Sequence, residues 1–277
     1  MKNILVPTDF SDVANHALHL AGEIAQRTGA TLELLHVVET VNTLTPPDGE
    51  DPTAGKWFGQ LEGYARTQLQ TLSERFPGVE VRTRVGRGSP FRNIDQRALE
   101  SGADLIVMGS EGSSGLDELL IGSNAERVVR FAPCPVLVVK SLLRLEDIKR
   151  VAFFTSLKED LIEEMPRFLK FWKLLDAELH VVRVNTPQDW VSSRFAERQM
   201  RTFDEKHGVN ARFTLYSAAT AEDGIHHFST DVGIHLIAMP THARKGLARL
   251  IAGGSTTENV LNHTRIAFWT CRHEDGD

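Results

Sequence analysis

The sequence predicts an α/β protein of two tandem Rossmann-like domains, each built on a five-stranded parallel sheet. Short apolar runs alternate with segments of helical periodicity, which is typical of βαβ units on a parallel sheet. Four segments also occur twice in the same order, which indicates an internal duplication. The pairs are Lys2–Thr8 with Lys149–Thr155, Leu32–Val38 with Ala177–Arg183, Asp104–Met108 with His235–Met239, and Gly122–Val128 with Gly254–Val260.

The duplication divides the chain into two domains. With 277 residues, the chain is long enough for two domains of ordinary size. The apolar run that closes the first repeat gives way near Ser141–Asp147 to a segment of mixed polarity. We therefore place the first domain at residues 1–142 and the second at residues 147–277.

The first repeat shows its strands as short apolar runs. The predicted strands are Asn3–Val6, Thr31–Val38, Val79–Val85, Asp104–Met108 and Val136–Val139. Apolar residues recur at helical spacing over residues 13–25, and Gly29 follows as a helix C-cap. The Pro-, Gly- and Asp-rich segment 40–59 predicts a loop. Ser89 and Pro90 are typical of a helix start, with serine as N-cap and proline at the first helical position.

Composition and charge exclude several classes of protein. The net charge is −6 and no basic stripe is interleaved with aromatic residues, so we expect no nucleic-acid partner. No run of about 18 apolar residues occurs, and the apolar run in Met1–Pro7 is too short for a signal-peptide core. Cys134 and Cys271 lie far apart, without metal-type spacing, and are typical of reduced thiols. We expect a cytoplasmic protein with no membrane partner.

A glycine-rich segment after the fourth strand carries the candidate chemistry. Gly109 and Gly112 let the backbone curl so that successive N–H groups can face an anion. Gly122 and Ser123 then open a helix, whose unpaired N–H groups and dipole favour phosphate. Ligands of open α/β sheets bind at this edge of the sheet. The segment therefore predicts a pocket for a triphosphate.

The glycine spacing resembles a known family. Residues 109–123 match the G-2x-G-9x-G-(S/T) nucleotide motif of the universal stress proteins, and residues 6–9 and 132–139 are also similar to that family. The resemblance implies adenine nucleotide α-hydrolase-like domains with strand order 3-2-1-4-5. It further implies that the last strands pair, here Val136–Val139 with Ile266–Thr270, so that the two halves form an intrachain pseudo-dimer. A further homodimer is left open.

The resemblance also implies a site for ATP, or a related adenine nucleotide, in the first half. Asp9 would hold the adenosine end, and the backbone around Val37 and Val38 would frame the base. The phosphates, with or without Mg²⁺, would lie against the glycine turn and the helix start. The expected cofactor-binding residues are Pro7, Thr8, Asp9, Val37, Val38, Met108, Gly109, Ser110, Gly112, Gly122, Ser123 and Asn124.

The expected function is nucleotide binding by a sensor or regulator in a stress response. No side chain is an evident nucleophile or general base for a γ-phosphate, so we expect no catalytic residue. One alternative is a slow ATPase or nucleotide-dependent enzyme that uses the same pocket. Another is a nucleotide-free interaction scaffold, suggested by Glu111, whose carboxylate repels phosphates unless it faces solvent or shares a cation.

Some of the same residues have purely structural explanations. Ser123 and Glu126 match an S-x-x-E capping box, so Ser123 could serve only as an N-cap. Asp9 could cap the helix that starts near Ser11. No G-x-x-x-x-G-K-[ST] segment exists, which excludes a P-loop ATPase.

The second half is expected to have lost the nucleotide site. Pro240 removes an amide donor, Ala243 adds a Cβ atom, and Ser156 stands where the first half has Asp9. These changes predict one nucleotide per chain. Eight of the 11 histidines lie in this half; a zinc site is an alternative for them, although no H-x3-H spacing supports it.

Overall fold

The computed structural model describes residues 1–39, 52–110, 121–156, 165–241 and 266–272. The elements of the first half are β1 Asn3–Pro7, α1 Asp12–Thr28, β2 Thr31–Val38, α2 Pro52–Ser73, β3 Val81–Arg87, α3 Pro90–Ser101, β4 Leu105–Gly109, α4 Ser123–Phe131 and β5 Val136–Val139. A short 3-10 helix, Leu145–Asp147, follows. The elements of the second half are β6 Arg150–Phe154, α5 Met165–Trp172, β7 Glu178–Asn185, α6 Ser193–His207, β8 Ala211–Ser217, α7 Ala221–Val232, β9 Leu236–Thr241 and β10 Ala267–Arg272.

The ten strands form one continuous sheet in the order β3-β2-β1-β4-β5-β10-β9-β6-β7-β8. Each half has the order 3-2-1-4-5, as predicted. Neighbouring strands are parallel within each half, and β5 pairs with β10 in the antiparallel sense, with Trp269 opposite Leu137. The expected meeting of the two last strands is confirmed. The two halves thus share a sheet across a pseudo-twofold seam.

The sheet is buried on both faces, which is why its central strands are continuous apolar runs. Every residue of β4 and β5 is buried. One apolar core lies between the sheet and α1, α2, α5 and α6, and the other lies between the sheet and α3, α4 and α7. Both cores cross the seam, so the halves are joined by packing as well as by backbone hydrogen bonds.

The predicted helix signals around α1 and α3 are confirmed. Ser11 caps α1 by accepting a hydrogen bond from the Ala14 amide, and Gly29 ends the helix with a φ of 70°. Such a left-handed φ is readily adopted by glycine alone. Ser89 precedes α3 with Pro90 at its first position, although the Ser89 side chain makes no capping hydrogen bond.

The loop predicted over residues 40–59 is wrong from Pro52 onward, where α2 begins; residues 40–51 lie outside the described part. Proline is a helix-start residue as well as a turn residue, and here it stands at the start. Gly55 and Gly59 lie in open space, where a helix tolerates them at modest cost. The third strand also begins two residues later than predicted.

Among the described helices, none is long and apolar enough to cross a membrane.

Candidate functional site

A pocket of about 400 Å³ opens at the carboxyl ends of β1, β2 and β4. This is the sheet edge where ligands of open α/β folds bind. The lining residues are Pro7, Thr8, Asp9, Ala14, Leu35, His36, Val37, Glu39, Pro90, Ile94, Met108, Gly109, Ser110, Gly122, Ser123, Asn124 and Ala125. Ten of the twelve residues expected from the sequence are therefore brought together. The exceptions are Val38 and Gly112; Gly112 and Glu111 lie outside the described residues.

Hydrogen bonds hold the two ends of the glycine-rich segment, Ser110 and Gly122, close together. The Gly122 amide donates to the Ser110 carbonyl at 2.7 Å, and the Ser110 amide donates to the Val139 carbonyl at 3.0 Å. The chain therefore leaves β4 and returns to α4 at one point on the sheet edge. This places the start of α4 beside the end of β4, within the same pocket.

The start of α4 corrects the capping-box prediction. Gly122 is the N-cap residue, with extended φ and ψ of −62° and 148°, and Ser123 is already helical. The hydrogen bond from the Gly122 amide holds that residue extended, so the cap falls one residue earlier than the sequence pattern indicates. Gly122 has no side chain to cap the helix. The first-turn amides of α4 therefore border the pocket and, among the described residues, have no side-chain cap, as at an anion site.

Ser110 adds a second unsatisfied group to this part of the pocket. Its side chain is only 1% exposed, and its Oγ has no hydrogen-bond partner within the described part of the chain. A buried hydroxyl without a partner costs about 1–3 kcal/mol. A ligand in the pocket could supply the partner that the described residues do not provide.

Gly109 serves a different purpose from the predicted backbone curl. It is the last residue of β4, and its φ is not positive. A Cβ atom at this position would lie 3.0 Å from the Val13 side chain and 3.1 Å from the Ala14 amide nitrogen. Glycine is therefore needed because the first turn of α1 packs directly against the strand end.

The end of β1 forms the opposite wall. The Thr8 amide donates to the Leu35 carbonyl at 2.9 Å, which ties this wall to β2. Asp9 Oδ1 accepts from the Ser11 amide at 3.0 Å, while Ser11 itself caps α1. Asp9 is therefore not the helix cap. It orders the turn before the helix and lines the pocket.

His36 is a pocket residue that the sequence analysis missed. Its Nδ1 lies 2.8 Å from the Thr8 carbonyl, so in the neutral ring Nδ1 carries the proton and Nε2 is left as an acceptor. The ring stacks on Phe10 at a centroid distance of 4.4 Å. Phe10 has a φ of 69°, a strained value for an aromatic residue. The available signal was a polar residue near the carboxyl end of a buried strand.

Val37 and Val38 are placed differently. Val37 lines the pocket, whereas Val38 is buried and does not line it. The Val38 carbonyl accepts a hydrogen bond from the Gly88 amide at 2.9 Å. Its backbone therefore pairs with the residue that follows β3.

The pocket is electrostatically polarised. Its β1–β2 wall carries the carboxylates of Asp9 and Glu39, and its β4–α4 wall carries the positive end of a helix. A ligand with negative charge at one end is therefore favoured in one orientation, with that end against α4.

The second half fills the matching position with its own side chain. Strand register places Arg183 where the first half has His36, and Ser156 where it has Asp9. Arg183 is buried and donates to the Ser156 carbonyl and to the Asp189 carboxylate. Pro240 takes the place of Gly109 in β9, and Ala243 lies outside the described residues. Within the ranges that the structure describes, no histidine-containing cluster could hold a metal ion.

The family model for universal stress proteins matches residues 1–140. A universal stress protein of Methanocaldococcus jannaschii is 36% identical over 140 residues, which cover 50% of this chain and 82% of that protein. A putative universal stress protein of Staphylococcus haemolyticus is 33% identical over 145 residues, covering 85% of its length. This chain belongs to the universal stress protein family. Because the second half repeats the fold of the first, it is a tandem member.

Two solved structures align with both halves of the chain. One from Archaeoglobus fulgidus aligns with a TM-score of 0.74 at 20% identity, covering 99% of this chain and 97% of the other. A putative one from Pseudomonas aeruginosa aligns with a TM-score of 0.68 at 22% identity, covering 99% and 94%. At these identities the alignments show the shared tandem fold.

Proposed function

We propose that the first half binds ATP or a closely related adenine nucleotide, and that the protein acts as a nucleotide-responsive regulator in a stress response. The observation that carries this proposal lies in one pocket, where neither the start of α4 nor the Ser110 hydroxyl has a side-chain partner among the described residues. Phosphate oxygens would supply acceptors for both. The family membership of residues 1–140 supports the same conclusion.

The charges of the pocket favour one orientation of the proposed nucleotide. The phosphates lie against Ser110 and the first turn of α4, where N–H groups and the helix dipole favour negative charge. The adenosine end lies against Asp9, Val37 and His36, where carboxylate, backbone and imidazole groups can bond the hydroxyl and amino groups of a nucleoside. The reverse orientation would set phosphates against two carboxylates.

A magnesium ion, if it accompanies the nucleotide, is held mainly by the phosphates. Mg²⁺ commonly binds through substrate phosphates, waters and one or two protein groups. In the described residues no group of three His, Cys, Asp or Glu side chains could hold a metal by itself. We therefore treat Mg²⁺ as an accessory to the nucleotide.

The same pocket favours binding over hydrolysis. The described residues at its α4 end are Ser110, Gly122, Ser123 and Asn124. None of these is a general base, and His36 lies on the adenosine side. A regulator that holds the nucleotide intact fits this arrangement better than an efficient ATPase.

Calorimetric titration of the full chain with ATP, together with mass spectrometry of any ligand released from fresh protein, tests the proposal. We expect saturable ATP binding that Gly122→Val abolishes, because the branched side chain fills the space beside Ser110. The matched control is Gly63→Val on the surface of α2, where a Cβ atom meets nothing within 4 Å. Absence of ATP binding by the folded wild-type chain would refute the proposal.

A further inference from the structure

The sheet has two outer strands, β3 at one end and β8 at the other. Among the described residues, no strand pairs with the outer side of either one. An edge strand presents unpaired N–H and C=O groups that can pair with a strand of another molecule. The two outer strands occupy matching places in the two repeats, so they can be compared position by position.

The two outer strands differ in charge. β3 contains three arginines, whereas Arg212 is the only charged residue of β8. Strand register places Arg84 of β3 and Thr214 of β8 at matching positions, each in the middle of its strand. The Arg212 guanidinium is bonded to the Glu178 carboxylate of the neighbouring strand. β8 therefore lacks the exposed central charge that commonly keeps an edge strand from pairing with another chain.

The side chains of β8 are largely apolar and only half-buried. Phe213 and Leu215 pack against the core beneath α6, where the Phe213 ring lies 5.9 Å from the Phe203 ring centroid. Tyr216 packs against the opposite core, with its ring centroid 5.6 Å from that of Phe228. These contacts already order the side chains, so a partner strand could cover apolar surface with little further loss of side-chain entropy.

The ladder between β7 and β8 shows which backbone groups of β8 face outward. The Ala218 amide donates to the Asn185 carbonyl of β7 at 3.1 Å. In a parallel ladder every second residue bonds the same neighbouring strand, so the amide of Thr214 also faces β7. The backbone N–H and C=O groups of Phe213 and Leu215 therefore face away from the sheet.

The sequence of β8 is complementary to a second copy of itself in the antiparallel sense. When two copies pair over the whole strand, Thr214 lies opposite Thr214, and Phe213 lies opposite Leu215. This register brings the outward-facing groups of Phe213 and Leu215 together as a hydrogen-bonded pair. Threonine pairs and apolar pairs at opposite positions stabilise a sheet. Arg212 lies opposite Tyr216, so no like charges meet.

β3 does not have this property. The same full-length register would place Arg84 directly opposite Arg84 of a second copy, and like charges at opposite positions are destabilising. β3 also contains Gly86 at the position where β8 has Tyr216. Glycine within a strand weakens it, because it offers no side chain to pack. Of the two outer strands, β8 is therefore the one suited to self-association.

We infer that two copies of this chain associate through β8, by antiparallel pairing about a twofold axis that passes beside Thr214. The sheets of the two copies then continue into each other. An interface in which each copy uses the same surface closes on itself, so assembly stops at a dimer. The nucleotide pocket at β1, β2 and β4 lies in the other half, so the dimer does not depend on nucleotide binding.

Sedimentation equilibrium of the full chain tests this inference. We expect a monomer–dimer equilibrium in the micromolar range, since one strand pair is smaller than a standard interface. Thr214→Arg should weaken the dimer about tenfold, because it removes the threonine pair and sets like charges opposite each other, as in β3. Thr83→Arg is the matched control: it adds the same charge to the opposite outer strand and should leave the dimer unchanged. Urea denaturation verifies that both variants are folded.

Disulfide formation tests the register. In Thr214→Cys the two introduced cysteines would face each other as a non-hydrogen-bonded pair, with Cα atoms about 4.5 Å apart, so mild oxidation should link the copies. Ser217→Cys is the control on the same strand: its two copies would lie about 20 Å apart and should not be linked. The native Cys134 and Cys271 are present in both variants, so their contribution is the same.

Three results would overturn the inference. The first is a wild-type chain that stays monomeric over the micromolar range, including one that instead binds a synthetic peptide of residues 211–217. The second is a dimer that responds equally to Thr214→Arg and Thr83→Arg, which would place the interface elsewhere. The third is equal cross-linking of Thr214→Cys and Ser217→Cys, which would indicate random collision.

Discussion

At the scale of single residues, the Ser110 hydroxyl combines a cost to stability with a proposed use in nucleotide binding. Ser110→Ala removes a buried hydroxyl that has no partner among the described residues. We expect the free protein to gain about 1 kcal/mol in its free energy of unfolding. ATP affinity should fall about tenfold, since a hydrogen bond to a charged phosphate is lost. Urea denaturation and calorimetric titration measure the two effects.

Ser229→Ala is the matched control for this variant. The Ser229 hydroxyl is also buried and unpartnered within the described ranges, but it lies on α7 in the second half, outside the pocket. It should stabilise the protein without a change in ATP affinity. If both variants alter ATP affinity equally, the Ser110 hydroxyl has no direct role in binding.

Three histidines of the second half make its stability depend on pH. Desolvation lowers the pKa of His180, His207 and His235. For His180 the nearby Glu178 acts in the opposite direction, but burial together with Arg212 and Arg150 outweighs it. The folded state therefore prefers these rings neutral. Their contribution to stability is present above the ordinary pKa of 6.5 and is lost as the pH falls below that value.

We expect the urea midpoint to fall steadily from pH 7.5 towards pH 5. The reason is that each of these buried or half-buried histidines takes up its proton in the unfolded chain at a higher pH than in the folded chain. His180→Gln should make the fall shallower. His227→Gln, at an exposed position on α7, should leave it unchanged. A urea midpoint independent of pH over this range would contradict the prediction.

The residue scale also shows what sequence patterns could not reveal. Asp9, Gly109 and Gly122 could be placed at one sheet edge because motif spacing and strand ends are visible in the sequence. The position of His36 could not, because it depends on the carbonyl of Thr8, just after another strand, and on the strained backbone of Phe10. Such contacts are set by packing and leave no local pattern.

At the scale of elements, the junction of β4 with α1 limits what can replace Gly109. A Cβ atom there would lie 3.1 Å from the α1 backbone, which cannot move as a flexible side chain can. We expect Gly109→Ala to destabilise the protein by about 1–3 kcal/mol, as overpacking generally does. It should also weaken ATP binding, because Gly109 lines the pocket together with Asp9.

Gly59→Ala is the control at the same scale. It lies on an exposed face of α2 and meets nothing within 4 Å, so it should stabilise the protein by about 1 kcal/mol through helix propensity. Urea denaturation compares the two variants. Equal stability of Gly109→Ala and wild type would show that α1 does not constrain the strand end.

The elements that could be predicted are those with strong burial signals. β4 and β5 are buried throughout and read as uninterrupted apolar runs. β3 is an edge strand whose residues are exposed or half-buried, so its apolar pattern is weak. The predicted strand, Val79–Val85, therefore begins and ends two residues too early. The start of α2 was missed because proline and glycine are typical of loops, although proline also occurs at the start of a helix and glycine is tolerated within one. The capping box failed because a tertiary hydrogen bond, from Gly122 to Ser110, moved the cap.

At the scale of the whole molecule, the duplication has kept the sheet and changed what lies at its edges. The β5–β10 seam and the two shared cores make one body of both repeats. At the carboxyl edge the first half has an open pocket, while the second half places Arg183 in the matching position. The repeats therefore share a framework but differ at the carboxyl edge of the sheet.

This asymmetry predicts the stoichiometry of the nucleotide. Arg183 is buried, and its guanidinium bonds the carbonyl of Ser156 and the carboxylate of Asp189, so it takes the position that a ligand would need. Pro240 further removes an amide at the strand end. We expect calorimetric titration to give one ATP per chain, with no second phase at higher ATP concentration.

Variants in each half test whether a stoichiometry of one reflects a single pocket per chain or a sample that is only partly active. Arg183→Ala should leave the affinity and number of the ATP sites unchanged, because the first pocket is intact, although it should lower stability by breaking the buried contacts. Ser110→Ala should weaken the single site in both backgrounds. Two equivalent sites in the wild type, or a second site whose affinity responds to Arg183→Ala alone, would show that the second half has retained a nucleotide pocket.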